Sequence, residues 1–366
     1  MSSLSALPDH EVARILMPQA LGRHLSRADA LAAIAADPGF VPIAVDPRDG
    51  RVFWANIGDH PLKEWQFTYT MQYLSETDKI RDAFTSDFEV LEDAGSAVGG
   101  LEPSAFIFHI SRCGSTLLAK ALARLDSNIV INQGSALQRG FWAALTDDFR
   151  RPLAPTPEAL AAFRHILLAM ARRRRESNRT AIVKFVSWNT LYIDFIRKAF
   201  PEVPCLFLYR DPVEVIASVI QRPTPALVAK GGRLASVLLG EFADAGKDMS
   251  DIAYLAACTA NYFRAALAAA DDGLGLLNYR DIRPENFAEI LDRGLGIRPE
   301  AGELETMREQ FRFHSKDDGD ARPFQSDSLE KSRMISQEDK AAISRISHSL
   351  FTKLDRSAHN LFAGTD

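Results

Sequence analysis

Cysteine is scarce in this sequence: three residues in 366, Cys113, Cys205 and Cys258. Three thiols so far apart cannot form a disulfide framework or a thiolate metal site, and they suit a reducing compartment. Long apolar runs are also lacking. The opening MSSLSALPDHEVARILMPQ carries acidic residues early and no continuous apolar stretch, so neither a signal peptide nor a membrane anchor is expected, and the predicted location is the cytoplasm without membrane insertion. An excess of positive charge is missing too. The formal net charge of −5 gives no electrostatic case for nucleic acid as a partner or for an anionic membrane, so any anion site must be local. Neither internal repeats nor low-complexity tracts are found. What remains, 46% hydrophobic and 25% charged residues, is a composition that folds around a large core rather than staying disordered.

The first hundred residues read as a mixed α+β segment. Val12, Ile15 and Leu16 fall at helical spacing, and Ser26 is placed to cap a second helix. Asp46-Pro-Arg-Asp-Gly50 is a turn signal between two alternating apolar stretches, which predicts a hairpin from about Val41 to Ile57. The stretch from Trp65 to Leu74 suits either a strand or a short helix. Residues 91–105 concentrate Gly, Ser and acidic side chains, so a boundary is placed there, dividing the chain into an accessory part, 1–100, and a larger part, 101–366.

Beyond the boundary, strand-sized apolar runs alternate with helix-length segments. The runs are 105–110, 129–131, 181–186, 205–209 and 274–279; helices are predicted after Thr116, from about Pro157 to Arg175, around 191–200, from Pro212, and along 254–270. This alternation predicts an α/β fold, three layers with a mainly parallel central sheet between helices.

The strongest local signal is the passage Phe106-Ile-Phe-His-Ile-Ser-Arg-Cys-Gly-Ser-Thr-Leu-Leu, a buried-type strand running through a turn of small residues into a helix. Such a turn holds anions. Gly114 permits close backbone approach, the amides at the helix start point outward, Ser111, Ser115 and Thr116 add hydroxyl groups, and Arg112 adds a fixed charge. A Walker A loop needs Lys immediately before the hydroxyl residue, and Gly114 stands there instead. A second apolar strand ends in Arg210-Asp-Pro-Val-Glu-Val-Ile-Ala-Ser218, where Pro212 suits the first turn of a helix and Ser218 lies two turns in. Open α/β sheets bind ligands at the carboxyl edge of their strands, where these two motifs end.

Together the two motifs resemble those of sulfotransferases that use 3′-phosphoadenosine-5′-phosphosulfate (PAPS). In that family a loop after the first strand binds the 5′-phosphosulfate, and an R-[ND]-P-x-[DE]-x-x-x-S motif binds the 3′-phosphate. The resemblance covers residues 105 to 220. It implies PAPS as co-substrate with no metal, the 5′-phosphosulfate held by Ser111, Arg112, Cys113, Gly114, Ser115 and Thr116, and the 3′-phosphate held by Arg210 and Ser218. Arg112 stands where cytosolic members have Lys, as it does in Golgi and many bacterial members. Lys184 stands at the Lys of the family's K-T-H segment, which gives it a catalytic role beside Arg112; a strand-end lysine facing water is the alternative. Residues 276–282 resemble a late Y-E-D-L segment, with Tyr279 expected to pack structurally, and 313–320 loosely resemble a loop that closes over the nucleotide.

The general base is where the sequence departs from the family. The catalytic His of cytosolic members corresponds to Val186 and the Glu of other branches to Gln133, and an amide is no base at neutral pH. His109, three residues before Arg112, is the candidate in its place, with His165 and His314 behind it and a structural role open for all three. The acceptor is expected to be a small molecule, glycan or peptide bearing a hydroxyl or amine. Two other readings stay open: a P-loop kinase using ATP and magnesium, and a non-catalytic binder of PAPS or its product. Arg172-Arg-Arg-Arg175 is read as a helix end with a solvated basic face, or as a collector of an anionic acceptor.

Overall fold

The computed structural model describes residues 7–93, 99–315 and 335–364. Five positions of the expected 91–105 connection, 94–98, and the expected closing loop from Lys316 onward lie outside these.

Among the described residues eight strands form two sheets. The first is antiparallel, in the order β1 (Phe40–Asp46), β2 (Arg51–Asn56), β3 (Asp82–Asp87). The second has five strands: β4 (Pro103–His109), β5 (Asn128–Asn132), β6 (Thr180–Lys184), β7 (Cys205–Tyr209) and β8 (Leu274–Asn278), in the order β5-β6-β4-β7-β8. The pairings β5–β6, β4–β7 and β7–β8 are parallel, and helices flank the sheet, so the α/β expectation holds. By contact density the chain divides into two compact units, one of Met1–Ser104, Leu122–Lys184 and Phe195–Val203, the other of Ala105–Ala121, Phe185–Asp194 and Pro204–Asp366.

In the first unit the amino-terminal segment gives α1 (Asp9–Leu16), α2 (Pro18–Leu21) and α3 (Arg27–Ala36), and Ser26 caps α3 by accepting from the Asp29 amide at 3.2 Å. The hairpin forms as read. Residues Phe67–Glu76 are helical (α4), which resolves the open choice at Trp65–Leu74. Strand β3 has no counterpart in the sequence reading. Its Thr85 and Ser86 are fully buried, and Ser86 accepts the Trp54 indole N–H at 2.9 Å, so a polar-looking stretch is an interior strand. A short helix, α6 (Arg139–Leu145), follows α5 (Ser115–Leu122) in the chain and packs on β1. There the Asp9 carboxylate accepts from the Gly140 amide at 2.9 Å, and a Cβ on Gly140 would lie 1.8 Å from the Val45 carbonyl oxygen. The next helix, α7 (Pro157–Met170), stops five residues short of the expected end, so the arginine run lies in the turn beyond it.

In the second unit Phe106, Phe108 and Phe185 form the aromatic core of the sheet, with Phe108 stacked on Phe185 at 5.0 Å between centroids. Helices α9 (Pro212–Gln221) and α10 (Asp251–Ala269) appear at the expected places, as does α8 (Ile193–Ala199), most of which belongs to the first unit. The long α11 (Gln337–Asp355) packs on α10 and was not read from sequence. Its Asp355 accepts from the Tyr209 hydroxyl at 2.6 Å and from the Asn278 amide at 2.8 Å, tying the carboxyl ends of β7 and β8 together. Among the described residues no helix is long and apolar enough to cross a membrane.

Candidate functional site

The order of the strands selects the site. From β4 the chain proceeds to β5 and β6 on one side of the sheet, and from β7 it proceeds to β8 on the other. The connections that leave the carboxyl ends of β4 and β7 therefore part in opposite directions, and the crevice between them is the topological switch point where open α/β sheets take ligands. Both motifs end there, because β4 pairs with β7 in parallel register, His109 opposite Leu208.

The β4 exit is a strained turn. Arg112 and Gly114 have φ of 63° and 83°, and the arginine pays for a left-handed backbone with roughly 1–2 kcal/mol. At Gly114 a Cβ would lie 2.7 and 2.9 Å from ring atoms of Tyr279 and 3.0 Å from Ile282. Tyr279 therefore packs on the loop's glycine, the structural role read for it. Helix α5 starts at Ser115, and its first-turn amides have no acceptor within the helix, which is the arrangement that receives an anion. Cys113 and Ser115 are buried; Ser111, Arg112 and Thr116 are half-buried.

The second motif meets the first at a measured contact. Arg210 is buried, and its Nη1 donates to the Arg112 carbonyl at 3.2 Å. The rest of its guanidinium is fixed by Glu214, which accepts from Nε at 2.7 Å and from Nη2, and by the Tyr279 ring 4.2 Å below. Arg112 turns its own Nη2 to the Arg222 carbonyl at 2.9 Å. Asp211 caps α9, accepting from the amides of Val213 and Glu214 at 2.9 and 3.1 Å, and burial raises its pKa. Ser218 is buried on the same helix. Two arginines, a helix start and a capped second helix thus lie around one carboxyl edge.

His109 is buried, and both ring nitrogens face backbone carbonyls: Nδ1 lies 2.8 Å from the Ile110 oxygen and Nε2 3.0 Å from the Phe185 oxygen. A neutral imidazole donates from one nitrogen alone, and here both nitrogens are turned to backbone carbonyls, which holds the ring between the loop strand and the Phe185 turn. His165 turns Nδ1 to the Leu91 carbonyl. Lys184 is completely buried rather than a strand-end lysine facing water. Val186 is buried, and Gln133 occupies a left-handed turn, φ 51°, with its amide donating to the Lys184 carbonyl at 2.7 Å.

Two residues at this edge were not singled out in the sequence. Glu214 lay within the quoted motif, and its i, i+4 spacing from Arg210 was the available signal. Asn189 follows β6 in the turn Ser187–Tyr192; it is 1% exposed, and neither end of its side-chain amide has a hydrogen-bond partner among the described residues. No sequence pattern marks it.

Gly114→Ala tests the loop. The added methyl requires Tyr279 to move from its place under Arg210, and the left-handed backbone adds roughly 1 kcal/mol of strain. Affinity for an anionic ligand of the loop should fall about tenfold or more, with a modest drop in melting temperature, measured by titration calorimetry and thermal unfolding; unchanged affinity would show that the loop does not hold the ligand.

No family profile and no curated protein sequence matches the chain. In structure it is similar to the sulfotransferase domain of the olefin synthase from Synechococcus PCC 7002, with a TM-score of 0.38 and 16% identity over 67% of this chain and 94% of that one. It is also similar to a sulfotransferase from Mycobacterium avium, with a TM-score of 0.44 and 10% identity over 98% of this chain and 99% of that one.

Proposed function

We propose that this chain is a sulfotransferase that moves a sulfuryl group from PAPS to an acceptor hydroxyl or amine. The observation that carries the reading is the contact of Arg210 with the Arg112 carbonyl at the switch point, which joins two separately recognised anion motifs into one edge. A nucleotide with phosphates at both the 3′ and 5′ positions has two anionic ends to satisfy, and the chain offers two basic motifs. In this reading residues 101–366 carry the nucleotide site and 1–100 are accessory, and the protein works in the cytoplasm.

Bound PAPS supplies the activated sulfuryl group; the chain's residues supply position and charge. Ser111 through Thr116 would hold the 5′-phosphosulfate, and the α5 amides and Arg112 would supply positive charge to the leaving oxygen. Arg210 and Ser218 hold the 3′-phosphate. Lys184 adds a second cation to the leaving group. Contacts that strengthen as the charge develops lower the barrier, and the loss of one typically costs about 3 kcal/mol. His109 serves by holding the loop strand to the Phe185 turn, and the proton of the acceptor is not routed through it. A phenol or amine, reactive without a strong base, is the acceptor class that fits Val186 and Gln133 at the places where the family has its His and Glu.

Titration calorimetry with adenosine 3′,5′-bisphosphate, 5′-AMP, ADP and ATP, each with magnesium and with EDTA, separates this reading from an ATP-using kinase. Micromolar binding that needs the 3′-phosphate and ignores magnesium is expected. Preference for ATP with magnesium would replace the sulfotransferase by the kinase.

A further inference from the structure

The four arginines beyond α7 have different fates. Arg172 is buried and donates to the carbonyls of Ile34 and Asp37, and Arg173 is exposed. Arg175 donates to the Asp59 carbonyl at 2.8 Å and reaches Asp126 at 3.6 Å. Arg174 has no carboxylate at all among the described residues. Its Nη1 donates to the carbonyls of Met170 and Arg172 at 3.1 and 3.3 Å, while its Nε is enclosed and has no acceptor. Burial first, then the charges of Arg172 and Arg175, lower its pKa to about 10; every influence acts in one direction, and the guanidinium keeps its proton at neutral pH.

Arg174 lines a cleft with Arg175, Lys63, His60, Asn178 and Asp126. Asp126 is the acid in that group and serves two cations, Lys63 at 2.9 Å and Arg175 at 3.6 Å. His60 is engaged by Glu64 at 3.0 Å. Three fixed positive charges therefore share one carboxylate, and the most enclosed has none. Asn178 holds the frame rigid: its Oδ1 accepts from the amides of Arg174 and Arg175 at 3.3 and 3.0 Å, and its Nδ2 donates to the Asp126 carbonyl at 3.0 Å. An enclosed cation without a counter-ion is costly, and an anion entering from solvent removes that cost.

We propose that this cleft binds a tetrahedral oxyanion, a phosphate or sulfate group, through Arg174, Arg175 and Lys63, with Asp126 as the internal counter-ion it displaces. The class follows from the donors, since guanidinium groups pair with phosphate and sulfate oxygens through directed N–H contacts. The site lies within the first unit and stands whether or not the chain uses PAPS.

Hydrogen exchange of the full chain, followed by mass spectrometry on peptides covering 122–128 and 172–180, reads this cleft separately from the β4 loop. Inorganic phosphate, and phenyl phosphate in a second arm, should slow exchange in both peptides at millimolar concentration, whereas chloride at equal ionic strength should not. Asp126→Asn removes the competing carboxylate, so half-saturation should move about tenfold lower; Arg174→Gln should abolish the effect. Stronger protection by phenyl phosphate identifies the occupant as the anionic group of an organic ligand, and equal protection identifies the free ion. A cluster that serves only as an internal salt bridge predicts the contrary: Asp126→Asn destabilises the turn, gains no phosphate affinity, and chloride protects as well as phosphate. That result would overturn the proposal.

Discussion

Replacing Arg210 by Ala should reduce affinity for adenosine 3′,5′-bisphosphate by about a hundredfold while leaving 5′-AMP within a few-fold of wild type. The size follows from two losses at one place. Truncating one partner of an enclosed charge pair costs about 3 kcal/mol, and each 1.4 kcal/mol is a factor of ten in affinity. The other partner is also left in place. Glu214 now holds Arg210 through Nε and Nη2, and without the guanidinium its carboxylate becomes an uncompensated negative charge beside the proposed 3′-phosphate subsite. Arg210→Lys retains a charge but not the fork that spans Glu214 and the Arg112 carbonyl, so it should recover only part of the loss. The control is Ser218→Ala, which removes one neutral donor and should cost roughly 1 kcal/mol with the same selectivity for the 3′-phosphorylated nucleotide. Equal loss for both nucleotides would mean that Arg210 merely supports the loop.

Stability should fall as pH rises from about 4 to about 7, and Asp9→Asn should remove that slope. Burial raises the Asp9 pKa to about 7, against an ordinary carboxyl value near 4. Between those values the folded chain keeps a proton that the unfolded chain has released, so the unfolded state binds fewer protons and folding weakens with rising pH. Three pH units correspond to about 4 kcal/mol, fully developed above pH 7. The neighbouring His10 acts in the opposite direction, since burial lowers its pKa and its deprotonation on folding favours higher pH. The informative quantity is therefore the difference between wild type and Asp9→Asn, from urea unfolding at pH 5 and pH 8. Asn preserves the acceptor for the Gly140 amide but puts an enclosed N–H₂ where Asp9 Oδ2 has no partner, so the variant should be less stable than wild type at pH 5 and gain on it by pH 8. Parallel pH profiles would show that Asp9 is ionised throughout.

Much of the second sheet was legible because its strands are short apolar runs bounded by turn residues. Cys205–Tyr209 matches its run residue for residue, and Pro212 marks the start of α9. Strand β3 was hidden because its polar side chains are buried through bonds that only the fold provides, such as Ser86 with Trp54. The arginine run misled for a related reason. Four charges in sequence read as a solvated face, whereas carbonyls of α7 and of the Ile34–Asp37 segment take up two of them inside the protein. At the site, the sequence revealed the two motifs but not their meeting, which depends on β4 and β7 being neighbours. Asn189 carries no local signature because its property, an unmet amide, exists only once the turn after β6 is enclosed.

The central claim is sulfuryl transfer from PAPS, and the direct measurement is release of label from [³⁵S]PAPS into phenol and amine acceptors in the presence of EDTA. Labelled acceptor formed without metal, and lost in Arg112→Ala and Arg210→Ala, is the predicted result. Tight binding of the nucleotide with no labelled product from any acceptor class would contradict it, and would make the chain a binder of PAPS rather than an enzyme that spends it.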